Sequence, residues 1–495
     1  MAAIITEKFR LNNAKQFVED VTEATSATYT FIGRGHAWTD DASPPTPVDS
    51  PNDEFDAYRN MVALKKVATT DISHAIVRRD WTTSTQYDEY RHNYASGNAA
   101  STGATTLWDS LFYVVTDDYN VYKCLSNGTA DHTAANVSTV KPDHTTLATP
   151  TESDQYQWKY MYSITASDVI KFVTNDFIPI KTMGAQLAVN GGVDTGSQDG
   201  RLGDAATDDG SAQWDVENGA VDGALDKARI IAGGSGYTNA TTASIAIRGD
   251  GTGGVCTVTT ASGGVTAVTV TTAGSGYTYA YVANEDITGY SPDGDQPADG
   301  TNNSANIEFI IGPKHGHGAD AIEELGGNYV ILNSRLEYAE GSGDFPTDND
   351  FRQIGVVVSP TDYGSNTLCS ASTLTAYKTM EFVSSGFSAP TVDTIIRNAS
   401  TELKTTAVGV VVSVDSSTRI ISYLPYPNEA GNFVDFANSN TIYSSAGTHG
   451  TLKASSAIVN EEVARHSGDI IYLENRGAVS RASDQIEDIK LIVEM

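Results

Sequence analysis

Twelve residues near the C-terminus carry the densest chemistry in the chain: RHSGDIIYLENR, from Arg465 to Arg476. Two guanidinium groups, an imidazole, two carboxylates and an amide surround a short apolar run, and Asp484 and Gln485 follow closely. Such a set could do acid–base work or form a charged recognition surface. His466 and Ser467 do not make a nucleophilic dyad, because neighbours on an extended chain face opposite ways. Ile470 and Tyr472 share a face at period two, so the stretch reads as a strand. Charges packed this densely need partners if they are buried. The sequence therefore assigns Arg465, His466, Tyr472, Glu474, Asn475 and Arg476 a structural role: they tie the last strand to the core or to a partner.

Elsewhere the chemical candidates are thin. There is no GxSxG, no HExxH and no Cys/His pairing. RGDGTGG, Arg248–Gly254, spells GxGxxG, but a dinucleotide site needs a helix next and strand-like Val255–Val258 follows, so a turn is expected. His315 and His317 stand near Asp320 and Glu323, yet spacing fixes no third ligand, and a packed loop is the plainer reading. The acidic run at 291–300 lacks the bidentate Glu of a calcium loop. Tyr156, Trp158, Tyr160 and Tyr162 fall on one face at period two, with Gln157, Lys159 and Met161 opposite. That stripe could stack sugars or bases, but a sheet packed on a core is the commoner use. Among 62 acidic residues nothing selects a glycosidase pair. The expectation is no catalytic residue, no cofactor and no metal.

Length and charge narrow the class. A chain of 495 residues is too long for one ordinary core. A hydrophobic content of 40% is too high for general disorder. Abundant Gly, Thr, Ser, Val and Tyr favour β-structure with many turns. A net charge of −31 argues against nucleic acid and against an anionic membrane surface. Cys124, Cys256 and Cys369 are odd in number and far apart, which predicts reduced thiols. The N-terminus lacks a signal-peptide core, and no apolar run approaches the ~18 residues of a membrane helix.

The elements that must position these residues follow in order. Helical spacing of Leu11, Ala14, Phe17, Val18 and Val21 predicts a helix over 11–22. A strand over 27–35 precedes a proline-rich loop at 43–51. A second helix, capped by Asn52 or Asp53, places Phe55, Tyr58, Met61 and Val62 on one face. In Arg78-Arg79-Asp80-Trp81 two cations meet one carboxylate, so Arg79 is expected to find a second acid, with Glu474 the candidate. Residues 111–127 read as two strands about a turn at 116–120. GGSGYT at Gly233–Thr238 recurs as AGSGYT at Ala273–Thr278, and between them a hairpin turns at Gly263-Gly264. A short helix over 319–325 leads to a strand at 329–332. The apolar run in FRQIGVVVSP, Phe351–Pro360, suits a central strand. Three more strands are expected at 407–414, 418–426 and 440–447.

The expected fold is mainly β: a β-sandwich core with a few short helices, plus two inserted small all-β domains. The boundaries read as 1–183 for the first part of the core, 184–312 for the first insertion and 313–361 for the second part of the core. The second insertion spans 362–456, and the C-terminal strands of the core span 457–495.

RHSGDIIYLENR followed by ASDQIEDI resembles the C-terminal signature of a phage baseplate wedge family, the product of gene eight in T-even-type myoviruses. RRDW at Arg78–Trp81 and FRQIGVVVSP with Phe351 and Arg352 fit the family in order, and ITEKFR and YQWKYMYSI match more weakly. The resemblance implies a non-enzymatic structural subunit of a contractile tail, located in the virion baseplate and assembled in the host cytoplasm. It also implies a homodimer that touches other wedge proteins and rearranges with the plate on contraction. The competing expectation is a host-binding adhesin or spike, because Gly/Thr/Tyr-rich insertions are where recognition sits on a scaffold. A polysaccharide-degrading tail enzyme rests on acid content alone.

Overall fold

The computed structural model describes residues 4–23, 25–128, 136–185, 208–288, 290, 304–337, 345, 347, 349–401, 403–481 and 485–495. The acidic run at 291–300 and Asp484 lie outside the described residues. The chain is mainly β, as expected, with several antiparallel sheets and few helices. It forms two compact units. The first comprises residues 1–19, 73–331 and 492–495, and the second residues 20–72 and 332–491. Among the described residues no helix is long and apolar enough to cross a membrane.

In the first unit, strands Tyr113–Val115, Asn120–Ser126 and Gln157–Ser163 form an antiparallel sheet buried on both faces. Tyr156, Trp158 and Tyr160 enter one apolar cluster with Tyr122 and Cys124. Tyr162 leaves the expected stripe and joins Met161 in the cluster of Phe112, Tyr113 and Ile322. A bulge is the cause. Val121 faces Tyr162 while Tyr122 faces Tyr160, so Met161 is the extra residue and the alternation slips by one. The helix Glu7–Thr22 sends Leu11 into the same cluster.

Residues 225–311 of this unit carry a core of their own, built on Tyr237, Ile245, Cys256, Val258, Tyr277 and Phe309. Leu225 pairs with Ile311, so this segment is entered and left at neighbouring positions. Its hairpin Val255–Ala261/Gly264–Thr272 turns at Ser262-Gly263, one residue earlier than the sequence suggested. Both turn residues are left-handed, φ 54° and 83°, as a two-residue hairpin turn requires. The strand Val255–Ala261 after RGDGTGG leaves no helix for a dinucleotide.

In the second unit a five-stranded sheet runs in the order Thr373–Thr375, Met61–Lys66, Thr28–Gly33, Asn349–Val358, Asp469–Arg481. The apolar strand Asn349–Val358 is flanked on both sides, as its composition predicts. Gly355 interrupts the apolar run because a Cβ there would strike the Phe31 ring at 2.3 Å and the Tyr472 carbonyl at 2.6 Å. The helix Pro51–Asn60 is capped by Ser50, whose hydroxyl accepts from Asp53 N at 3.2 Å, and not by Asn52 or Asp53. Pro51 fits the first turn, where its missing N–H costs nothing, and this moves the cap one residue earlier. Phe55 is exposed, and Met61 and Val62, expected on the face of this helix, instead begin the strand Met61–Lys66. A seven-stranded sheet holding Val408–Asp415, Ile420–Tyr426 and Thr441–Ser444 encloses a separate core with Met380, Phe382 and Tyr423.

Candidate assembly interface

The signature strand Asp469–Arg481 is the edge of the five-stranded sheet. Its inner side is paired: Tyr472 faces Val356, Leu473 Gly355, Glu474 Ile354 and Asn475 Gln353. An edge strand presents unpaired backbone groups, so it is a template for another chain unless it is blunted. Here Ile471 is 50% exposed. Glu474 accepts from the Tyr472 hydroxyl at 3.1 Å and lies 4.0 Å from Arg476, with both charged side chains about two-fifths exposed.

The turn before this strand is built by residues that looked reactive. His466 and Gly468 are left-handed, at φ 61° and 76°. The Ser467 hydroxyl donates to the Ala464 carbonyl and accepts from Thr361 N at 3.0 Å, which makes it a staple and not a nucleophile. The His466 ring packs on Phe55 and Tyr58 at 5.5 and 5.3 Å, and burial beside Arg465 and Arg59 lowers its pKa. The Arg465 side chain is 10% exposed, donates twice to the Ala376 carbonyl at 2.6 and 3.1 Å, and lies 3.8 Å from Glu461. Burial pulls its pKa below the ordinary value despite Glu461.

Other signature residues clamp residues 34–45, the segment that leads into the proline-rich loop. Arg352 is buried; its guanidinium holds both Asp41 oxygens at 2.9–3.1 Å, reaches Asp350 at 3.1 Å and bonds the Gly35 carbonyl. Neighbouring Phe351 lies in the sheet, 3% exposed. Gln353 donates to Asn475 Oδ1 at 2.8 Å, and Asn475 donates in turn to the Pro45 carbonyl at 3.0 Å. The Trp38 indole donates to the Arg476 carbonyl at 2.9 Å, with Arg34 over its ring. Residues 34–45, which have no regular structure, are thereby fixed against the strands Asn349–Val358 and Asp469–Arg481.

RRDW does comparable work in the first unit. Arg78 forks onto Asp80 at 2.9 and 3.2 Å and donates to the Thr174 carbonyl at 3.1 Å. Arg79 bonds the carbonyls of Ser110 and Trp108 and lies over the Tyr113 ring. Its acceptors within this unit are main-chain oxygens, and Glu474 has partners of its own in Tyr472 and Arg476. The backbone beside it outbid a second acid as acceptor, a choice that residue types alone do not reveal. Trp81 donates to Ser138 Oγ at 3.1 Å. Trp108, held by Arg79, borders a cleft of about 240 Å³ with Leu11, Lys15 and Glu323.

Sequence reading missed the buried ion pairs. Lys123 meets Glu324, whose oxygens also accept from Gly318 N and Asp320 N at 2.8–3.2 Å. Arg481 meets Glu487 at 3.1 Å, also buried. Lys159 donates to the Leu147 carbonyl at 2.8 Å, and burial followed by Lys123 lowers its pKa to about 8. Glu217 accepts from Met183 N and Gln213, yet burial raises its pKa to about 7. His317 meets Asp226, His315 N donates to Asp222, Asp320 caps the helix Ala321–Leu325, and Glu323 pairs with Lys15. Among the described residues no group of three or more His, Cys, Asp or Glu converges as a metal site. Perturbed groups can mark catalysis, but Lys123 and Lys159 hold their neighbours in a packed interior.

These arrangements define a mainly β scaffold whose polar motifs anchor backbone. Comparison with known proteins shows what the chain is similar to. Residues 3–141, which include Arg78–Trp81, match a family model described as bacteriophage T4 Gp8. The chain is also 26% identical over 202 residues to the baseplate wedge protein gp8 of Enterobacteria phage T4, covering 36% of this chain. It spans 60% of the length of that relative. The resemblance read from the sequence is borne out: this chain is similar to the gp8 wedge proteins.

Proposed function

We propose that this chain is a structural, non-enzymatic subunit of a contractile phage tail baseplate. It sits in the wedge, joins other wedge proteins and moves with them as the plate rearranges. The observation that carries this reading is the match of residues 3–141 to the Gp8 model, together with a relative named as a baseplate wedge protein. The site geometry supports it, because the signature residues hold a loop and an edge strand in place, as a rigid subunit in a moving plate needs. The protein acts as a homodimer without cofactor or metal. Its core, residues 1–183, 313–361 and 457–495, carries insertions at 184–312 and 362–456.

Mass spectrometry of purified tails tests the placement. The expected result is a fixed ratio to the other plate proteins. Recovery only with fibres or spikes would favour the host-binding alternative. Light scattering at micromolar concentration should give a dimer, and a monomer would overturn that part.

A further inference from the structure

The GSGYT repeat differs between its copies in a way its fold does not require. The repeated tyrosines, Tyr237 and Tyr277, are both buried. The Tyr237 hydroxyl donates to Asn284 Oδ1 and accepts from Ala305 N at 2.8 Å, and the Tyr277 hydroxyl donates to the Ile247 carbonyl at 3.0 Å and accepts from Gly254 N at 3.1 Å. Two and four residues further on, the first copy has Asn239 and Thr241, and the second has Tyr279 and Tyr281. Asn239 and Thr241 are exposed, so these positions fold without an aromatic ring. Yet Tyr279 is 57% exposed and Tyr281 47%. Ala280 between them packs on the core of residues 225–311, while both tyrosine rings face outward.

The backbone beneath the rings is fixed. Asp250 accepts from Thr278 N at 2.9 Å, Thr278 Oγ1 at 2.5 Å and Tyr279 N at 3.3 Å. Tyr281 pairs with Arg248 in a short ladder. A Cβ on Gly249 would lie 2.2 Å from the Tyr279 carbonyl, so only glycine allows this approach. The RGDG turn is therefore the mount of the tyrosine pair. Beside it, Arg248 contacts Asp286 at 2.7 Å and Glu285 at 3.7 Å, all partly exposed.

We propose that Tyr279 and Tyr281 form a platform that binds a neutral hexose polymer, with Arg248, Glu285 and Asp286 bonding its hydroxyls. Tyrosine supplies a rigid stacking face at low entropy cost. Residues two apart along the chain are at most about 7 Å apart, within reach of neighbouring sugar rings. Two acids against one base, in a chain of net charge −31, disfavour acidic glycans and nucleic acid. This goes beyond the wedge role and does not depend on it.

The test is binding of the full chain to an array of maltohexaose, cellohexaose and β-galactan oligomers beside polygalacturonate and sulfated glycans. Tyr279→Asn/Tyr281→Thr writes the first copy's residues into the second, and Tyr279→Phe/Tyr281→Phe keeps the rings. The expected result is binding to a neutral hexose oligomer, weakened about tenfold or more by the Asn/Thr variant and retained by the Phe variant. No signal on any neutral oligomer, signal on acidic glycans alone, or loss of binding in the Phe variant with unchanged melting temperature would overturn the proposal. So would undiminished binding by the Asn/Thr variant.

Discussion

Lys123–Glu324 in the first unit and Glu474–Arg476 in the second hold the same chemistry in opposite surroundings. Lys123 and Glu324 come from positions 201 residues apart, and their side chains are 0% and 1% exposed. Glu474 and Arg476 belong to one dense motif, yet stand 4.0 Å apart at 39% and 43% exposure. Water screens the second pair and not the first. Motif density therefore does not rank energetic importance in this chain. The motif anchors backbone and leaves charge on a sheet edge, while residues in no motif hold the interior.

The sharpest way to break this contrast is Glu324→Ala. It strands a buried ammonium, and equilibrium unfolding should show a loss of about 3–5 kcal/mol. Lys123→Met/Glu324→Leu should recover most of that, because a buried pair can be replaced by packed apolar groups at little cost. Arg465→Ala comes next, at about 1.5–3 kcal/mol, since it removes charge-assisted bonds to the Ala376 carbonyl.

Lys159→Met should act in the other direction. With its folded pKa at about 8, Lys159 binds its proton less tightly in the native state than in the unfolded chain. Stability should therefore fall as pH drops from about 10.5 to 8 and level off below that. The Met variant should gain about 1–2 kcal/mol at pH 7, after allowing for the lost bond to Leu147, and the gain should shrink towards pH 10.5. A constant difference across that range would refute the burial argument. Glu474→Ala and Arg476→Ala should each cost about 1 kcal/mol or less in the isolated chain. A cost near that of Glu324→Ala would erase the contrast.

Much of the fold was legible because alternation and turn chemistry are local. The central strand Asn349–Val358 follows from its apolar run, and the hairpin after Val255 and the strands about Thr116–Asn120 follow from strand-forming residues and turn chemistry. The misses were not local. Met161 bulges because the partner strand Asn120–Ser126 imposes a register that residues 156–162 do not encode. The structural part of Arg465 and Arg352 was legible, but their acceptors were not, since a carbonyl such as Ala376 leaves no mark in residue types. Lys123 was read as one residue of a strand, and only the fold brings it to Glu324.

A photo-crosslinking residue in place of Ile471, introduced into phage and activated in intact tails, tests most directly whether the signature strand is an assembly edge. Adducts to a second copy of this chain or to another baseplate protein are expected. A chain that enters tails normally and yields no intermolecular adduct from this position would contradict the assembly edge.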